Sequence, residues 1–252
     1  EGYCVYADHT YQLAFALFRY AIRLIDSGDY GAADRLSTES LTLFRRQQNR
    51  DYIVYPLGNL GRLALLRGDL AQARLLLQEA VATARTIGNV MGLLDWLPRL
   101  GVVLLYRGNV VEAQRLLHES LHLSQTTTSA MYLAWSYTYL AETALWQGDL
   151  DQVAYWLAQA LTNHANPRWI RTELVDCLWV AARLATAQQH YRRAVTLFGL
   201  AEQVGSRIGY VPAGPVRPLN DAAQVTVREA LRKATFAEAF AAGQQMTLGE
   251  AF

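Results

Sequence analysis

The sequence predicts an all-α solenoid of about five 40-residue helical hairpins with a C-terminal helical cap, and three observations carry that prediction. A Gly-Asp or Gly-Asn pair recurs with a fixed step of 40, at Gly28-Asp29, Gly68-Asp69, Gly108-Asn109 and Gly148-Asp149. Each pair separates two apolar stretches of helical periodicity. The flanking residues also return in register. Leu60-Gly61, Ala64, Ala73, Leu77 and Ala80 come back as Leu100-Gly101, Leu104, Ala113, Leu117 and Ser120, and again as Leu140-Ala141, Ala144, Val153, Leu157 and Ala160. A unit of this period cannot bury its own apolar face and must stack on a neighbour.

Taken in order, the predicted helix pairs fall near 9–26/30–47, 51–67/70–88, 91–107/110–125, 129–147/150–164 and 168–187/190–208. The first copy is looser (Tyr20-Ala21, Leu24, Gly28-Asp29, Ala33). The fifth has lost its glycine and slipped by one residue (Ala181-Ala182, Ala185, Gln189, Ala194, Phe198, Ala201). In each turn the glycine tolerates the left-handed conformation that ends one helix, and the Asp or Asn offers an N-cap acceptor to the next. Small residues at Gly61, Gly101, Ala141, Ala182, Ala73, Ala113 and Ala194 let the two helices of a hairpin approach closely. Pro98 inside one first helix and Pro56 near the start of another should kink or delay their helices, because proline removes a backbone donor.

The solenoid is expected over 1–209, and 210–252 reads as a Pro-rich loop followed by capping helices. After Val211-Pro212-Ala213-Gly214-Pro215-Val216-Arg217-Pro218, Asn220 or Asp221 should cap a helix reaching about Lys233. A short helix should follow from Thr235 to Ala242, and Leu248 to Phe252 resembles the first turn of another. A terminal unit that departs from the repeat is the expected lid on the open end of a stack.

Composition narrows the function classes. With 52% hydrophobic and 18% charged residues the chain is not disordered for most of its length. No apolar run approaches the roughly 18 residues that a membrane helix needs, so no membrane partner is expected. Net charge is +1, and the basic residues are arginines apart from Lys233, scattered along the helices rather than clustered. That pattern lacks the electrostatic footprint of nucleic-acid binding, and no direct nucleic-acid contact is expected. Cys4 and Cys177 are far apart and without metal spacing, which fits idle thiols in a reducing cytoplasm. The chain opens on Glu1, already near a helical pattern, and stops one turn into a helical one; it reads as a piece of a longer parent chain whose other modules would be its neighbours.

The repeat residues and their spacing resemble the tetratricopeptide repeat over about residues 10 to 205, with 40 residues per unit instead of 34. That resemblance implies a right-handed superhelix. The six extra residues would add roughly 9 Å of helix per repeat, shared between two helices. The tail is similar to the C-terminal ends of bacterial STAND-class signalling ATPases and of LuxR-, MalT- or SARP-type transcriptional regulators. The residues that carry this likeness are Ala194 to Leu200, Ala201-Glu202, the Pro-rich loop, the Ala/Arg helix, Phe236 to Gly243 and Met246 to Ala251. The resemblance implies a sensor or partner-binding arm, with ATP hydrolysis and DNA binding in separate modules. No G-x-x-x-x-G-K-[ST] motif occurs in the chain, and no cofactor is expected.

In such a stack the first helix of each pair lines the concave side. In the fourth repeat Leu133, Tyr137, Leu140 and Ala144 fall on one face of the helical wheel, and Trp135, Tyr139, Glu142 and Trp146 on the opposite one. Equivalent positions are Phe15, Phe18 and Ile22; Tyr55 and Arg62; Asp95, Val102 and Tyr106; and Asp176, Trp179 and Arg183. Aromatic walls with a few charges suit a small effector, a peptide or a partner protein. The competing expectation is that these aromatics fill the middle of a tight superhelix and that Glu142 neutralises Arg183.

His118-Glu119-Ser120-Leu121-His122 fits the H-E-x-x-H pattern of zinc peptidases, with Glu142 20 residues beyond the second histidine. The repeat register accounts for these residues without metal, since His118 corresponds to Gln78 and Ala158 in neighbouring copies. His9, His164 and His190 are isolated, and no nucleophile–base pair can be argued from spacing. The leading expectation is therefore a non-enzymatic sensor arm. A passive interaction scaffold, self-associating as a homo-oligomer through its outer surface or first helix pair, is the alternative; a zinc peptidase is the remote third.

Overall fold

The computed structural model describes residues 2–164, 172–210 and 214–251, which form helices without a β-strand among them. The elements are α1 (Gly2–Asp26), α2 (Tyr30–Arg46), α3 (Arg50–Arg67), α4 (Leu70–Ile87), α5 (Val90–Tyr106), α6 (Val110–Thr126), α7 (Ala130–Gln147), α8 (Leu150–His164), α9 (Thr172–Ala187), α10 (Tyr191–Ile208), α11 (Val216–Ala230), α12 (Lys233–Gln245) and α13 (Leu248–Ala251). The result is an all-helical, repeat-like fold. No helix among the described residues is long and apolar enough to cross a membrane.

One turn geometry explains this order. Left-handed backbone occurs at residues 28, 48, 68, 88, 108, 128 and 148, twenty residues apart, and again at 189 and 209. The turn after α3 is representative. The Gly68 N–H donates to the Leu65 carbonyl at 3.0 Å and the Asp69 N–H to the Ala64 carbonyl at 2.9 Å, the paired bonds of a Schellman cap. Asp69 then turns its carboxylate to the Gln72 N–H at 2.9 Å and starts α4. Asp29, Asn89 and Asp149 cap α2, α5 and α8 in the same way. The chain thus satisfies the orphan groups of two helix ends within two residues.

The backbone period is half the period that the sequence displays. The turns between hairpins also hold a left-handed residue, but residue 48 is Gln and residue 128 is Thr. At the first of these, the Asn49 N–H reaches the Phe44 carbonyl at 3.0 Å without any glycine. A side chain at this φ is strained, most of all when β-branched as in Thr128.

The chain separates into two compact units, Glu1–Leu116 and Leu117–Phe252, with the division inside α6. In the first, α1 to α4 each touch the next helix, and α1 also meets α3 and α3 meets α5. The small-residue rule is visible at Gly61, where an added Cβ would lie 2.7 Å from Leu77 Cγ of the partner helix. Phe18 and Phe44 are buried with Tyr11, Tyr52 and Tyr55 around them. In the second unit α7 packs on α8 and α9, and α9 on α10, while α11 and α12 close against α9 and α10. Val175, Leu178, Phe198, Leu200 and Val227 form its terminal core. There α12 is pressed backbone to backbone on α10: a Cβ at Gly243 would fall 1.9 Å from the Thr196 carbonyl oxygen. Only glycine fits that crossing.

Several boundaries differ from those predicted. α1 begins at Gly2 rather than near residue 9, and the start predicted for α9 at 168 lies outside the described residues. α11 begins at Val216, not at an Asn220 or Asp221 cap, and takes Pro218 into its first turn. Proline is tolerated there because a first-turn N–H has no helical partner to lose. α11 also stops at Ala230, so Lys233 opens α12 instead of closing its predecessor. Pro56 and Pro98 sit inside continuous helices and delay neither start.

The turn strain gives a signed prediction. Thr128→Gly should stabilise the protein by about 1 kcal/mol, and Gly148→Ala should destabilise it by about 1–2 kcal/mol, because L side chains resist the left-handed region. Urea unfolding midpoints at unchanged m-value would read both effects.

Candidate functional site

The face of α7 predicted to line a groove divides into buried and open parts. Trp135 is 4% exposed and meets Tyr132 edge to face at 5.2 Å, so it packs inside. Glu142 is 2% exposed and Trp146 is 41% exposed. Residue 142 lies three residues before the final turn of the helix and residue 146 within that turn, which takes the second side chain to the surface. On α9, Arg183 is buried and grips Glu142 with two guanidinium nitrogens: Nη1 donates to Oε1 at 3.1 Å and Nη2 to Oε2. The Trp146 indole N–H donates to the same Oε1 at 3.3 Å. A bidentate, desolvated pair thereby orients a half-open aromatic ring.

A second polar cluster lies along α9. The Tyr210 hydroxyl, just after the turn that ends α10, donates to Asp176 Oδ1 at 2.8 Å. Burial, then the Asp176 carboxylate, pushes the Tyr210 phenol well above its ordinary value, with Tyr139 and Glu173 acting in the same direction. Thr172 donates to the buried Glu173 carboxylate at 3.0 Å. Trp179 is buried against Phe198, with ring centroids 5.4 Å apart. Burial also pushes the Cys177 thiol up to about 12, so it is an inert core group; the Cys4 side chain lies outside the described residues.

In the first unit, the predicted site residues serve separate local contacts. Arg62 Nη2 donates to Asp26 Oδ1 at 2.9 Å, joining α3 to α1. Tyr55 stacks on Phe18 at 5.2 Å, and its hydroxyl accepts from Asn89 Nδ2 at 3.3 Å. The Asp95 carbonyl accepts from Arg99 Nη1 at 2.6 Å, and that guanidinium lies over Trp96 at 5.5 Å. Val102 is buried and Tyr106 half-buried on α5. The structure therefore brings together Glu142, Trp146 and Arg183. It pairs Asp176 with Tyr210, and it sends Trp135 and Trp179 into the core.

The structure engages two residues of the zinc-peptidase pattern in other contacts. His118 is exposed and meets Trp156 edge to face at 6.2 Å, while Glu142 is held by Arg183. No group of three or more His, Cys, Asp or Glu able to hold a metal occurs among the described residues.

Tyr210 and Asp26 escaped the sequence reading. Both flank turn glycines, Asp26 ahead of Gly28 and Tyr210 directly after Gly209. The twenty-residue step, had it been read through Gln189, would have marked Tyr210 as the equivalent of Asp29 or Asp69.

Two measurements test this electrostatic account. Arg183→Met alone strands a buried carboxylate and should destabilise by about 3–5 kcal/mol, whereas Glu142→Leu combined with Arg183→Met should cost clearly less. Denaturant unfolding of both variants gives the comparison. For Tyr210 the folded value is raised, so its contribution is complete below the ordinary value of 10.0 and is lost as pH rises above it. Stability should decline above pH 10, and Tyr210→Phe should flatten that decline at a cost of about 1 kcal/mol at neutral pH. Compared with known proteins, the chain matches no family model and no curated protein.

Proposed function

We propose that this chain is a recognition module: the ligand- or partner-binding repeat region of a bacterial signalling or transcriptional regulator, acting as a sensor and not as an enzyme. The observation that carries the reading is Trp146. Its ring is 41% exposed, yet its indole N–H is anchored on a carboxylate that Arg183 locks from the next first helix. Large aromatics held rigidly at a surface are the side chains that dominate binding energy, because little conformational entropy is lost when a partner covers them. The bacterial and regulatory part of the proposal rests on the similarity of the repeats and tail to STAND-class and LuxR-, MalT- or SARP-type arms. Regulation would require the occupant to prefer one arrangement of the neighbouring modules over another.

A passive scaffold is the second reading, and α1 favours it. Leu13 is 49% and Tyr20 60% exposed on that helix, whereas Leu100 and Leu140, at the position of Tyr20 in later copies, are buried. Such a face suits self-association through the first helix pair.

A thermal-shift screen of metabolites and short peptides separates the readings. A specific binder at 100 times its Kd should stabilise the protein by about 2.7 kcal/mol. Trp146→Ala should remove that shift at unchanged helix content, and Tyr155→Ala, on an exposed aromatic of α8, should leave it intact. A binder indifferent to Trp146→Ala would overturn the assignment of this residue. Concentration-dependent sedimentation, abolished by Tyr20→Glu, is the outcome expected of the scaffold.

A further inference from the structure

α1 carries two apolar stripes, each with residues spaced by four, three and four. One stripe, Ala14, Phe18, Ala21 and Ile25, is buried. The other, Leu13, Leu17, Tyr20 and Leu24, lies open: Leu13 is 49% and Tyr20 60% exposed, with Leu17 and Leu24 half-buried. Later copies show what covers such a stripe. Forty residues on, Ile53 and Leu60 join clusters that hold Phe44 and Ala33 of α2. In α7 the same positions are Leu133, Tyr137 and Leu140, and Leu140 clusters with Leu117 and Leu121 of α6. In both cases the cover is the preceding amphipathic helix, antiparallel because a short turn joins the two.

The margin of the open stripe narrows the kind of helix that fits. From His9 to Ile25 the sequence of α1 has no acidic residue, and Arg19 and Arg23 are exposed. Arg23, one turn past Tyr20, flanks the stripe on the side away from the buried one, with Arg19 beyond it. In later copies the position of Arg23 is held by Leu63, Val103 and Thr143, none more than 1% exposed. A whole hairpin stacked there as elsewhere in the chain would bury the Arg23 guanidinium at a high desolvation cost. A single helix covers the apolar row and leaves Arg23 at the rim.

We propose that the open stripe of α1 docks one acidic amphipathic helix of a partner protein, antiparallel to α1. Its Ala and Leu residues lie on Leu13, Leu17, Tyr20 and Leu24, and its carboxylates face Arg19 and Arg23. Two features select this occupant. The contact continues the α2–α3 and α6–α7 pairings, and the rim carries charge of one sign. A second copy is less suited to the face, because it brings more arginines and no carboxylate from its own stripe. The surface shares no residue with the Trp146 site.

Fluorescence anisotropy with two labelled helical peptides of the length of α4 tests the docking. Both keep the Ala73, Leu77, Ala80 and Ala84 stripe of that helix; one has glutamate and the other lysine at the flanking positions. The glutamate peptide should saturate at one per chain and bind about tenfold more tightly than the lysine peptide. Arg19→Glu with Arg23→Glu should reverse that preference, whereas Arg193→Glu with Arg207→Glu, the same charge change on α10, should preserve it. Leu13→Ser with Tyr20→Ser, at native helix content by circular dichroism, should abolish binding, and Trp146→Ala should leave it unchanged. Absence of saturable one-to-one binding, equal affinity for the two peptides, or indifference to Leu13→Ser with Tyr20→Ser would overturn the proposal. So would a dimer that Tyr20→Glu dissociates, since it would give the face to a second copy.

Discussion

From α1 to α8 each reversal of the chain depends on a backbone residue in the left-handed region, followed by one that opens the next helix. The two residues close the Schellman bonds of the outgoing helix and start the next one, often with a side-chain acceptor. Because the device recurs every twenty residues through most of the chain, helix length is metered by the turns and not by local propensity. The helices from α2 to α8 all run 15 to 18 residues as a consequence. Residues at a given distance from a turn then occupy equivalent places in successive hairpins, which is why small side chains recur at the crossings.

That metering has an electrostatic consequence. First helices such as α5, α7 and α9 bury more than half of their residues, so charged groups on them need partners close at hand. Consecutive first helices solve this with each other: Asp26 with Arg62 in one unit, Glu142 with Arg183 in the other. Burial makes the second pair obligatory as a pair, since either partner alone would be an uncompensated charge. Trp146 borrows its fixed orientation from this arrangement while its ring remains accessible. Packing and presentation are thus two uses of one carboxylate.

The closing of the second unit by α12 follows from a different constraint. Where α12 crosses α10 the backbones touch, and the glycine there prevents any adjustment by side-chain repacking. Although the helix ends at Met246, the chain beyond it still lays Met246 and Leu248 against the core of α9 and α10.

Helix order and most helix ends were legible in the amino-acid sequence, because caps, turn glycines and apolar periodicity act within a few residues of the bonds they make. Gly61 and Ala73 were also readable as crossing points, since a missing side chain is itself the signal. Gln48 and Thr128 concealed the left-handed backbone at two of the seven turns between α1 and α8, as neither residue type declares a conformation that tertiary packing imposes on it. Trp135 and Trp146 share one face of a helical wheel, and nothing local separates the buried ring from the open one. The sequence offered the Glu142–Arg183 pairing only as one of two expectations, and the tertiary structure decided for it and for which side chains neighbours cover. Burial depends on residues distant in the chain, whereas capping depends on residues next to it.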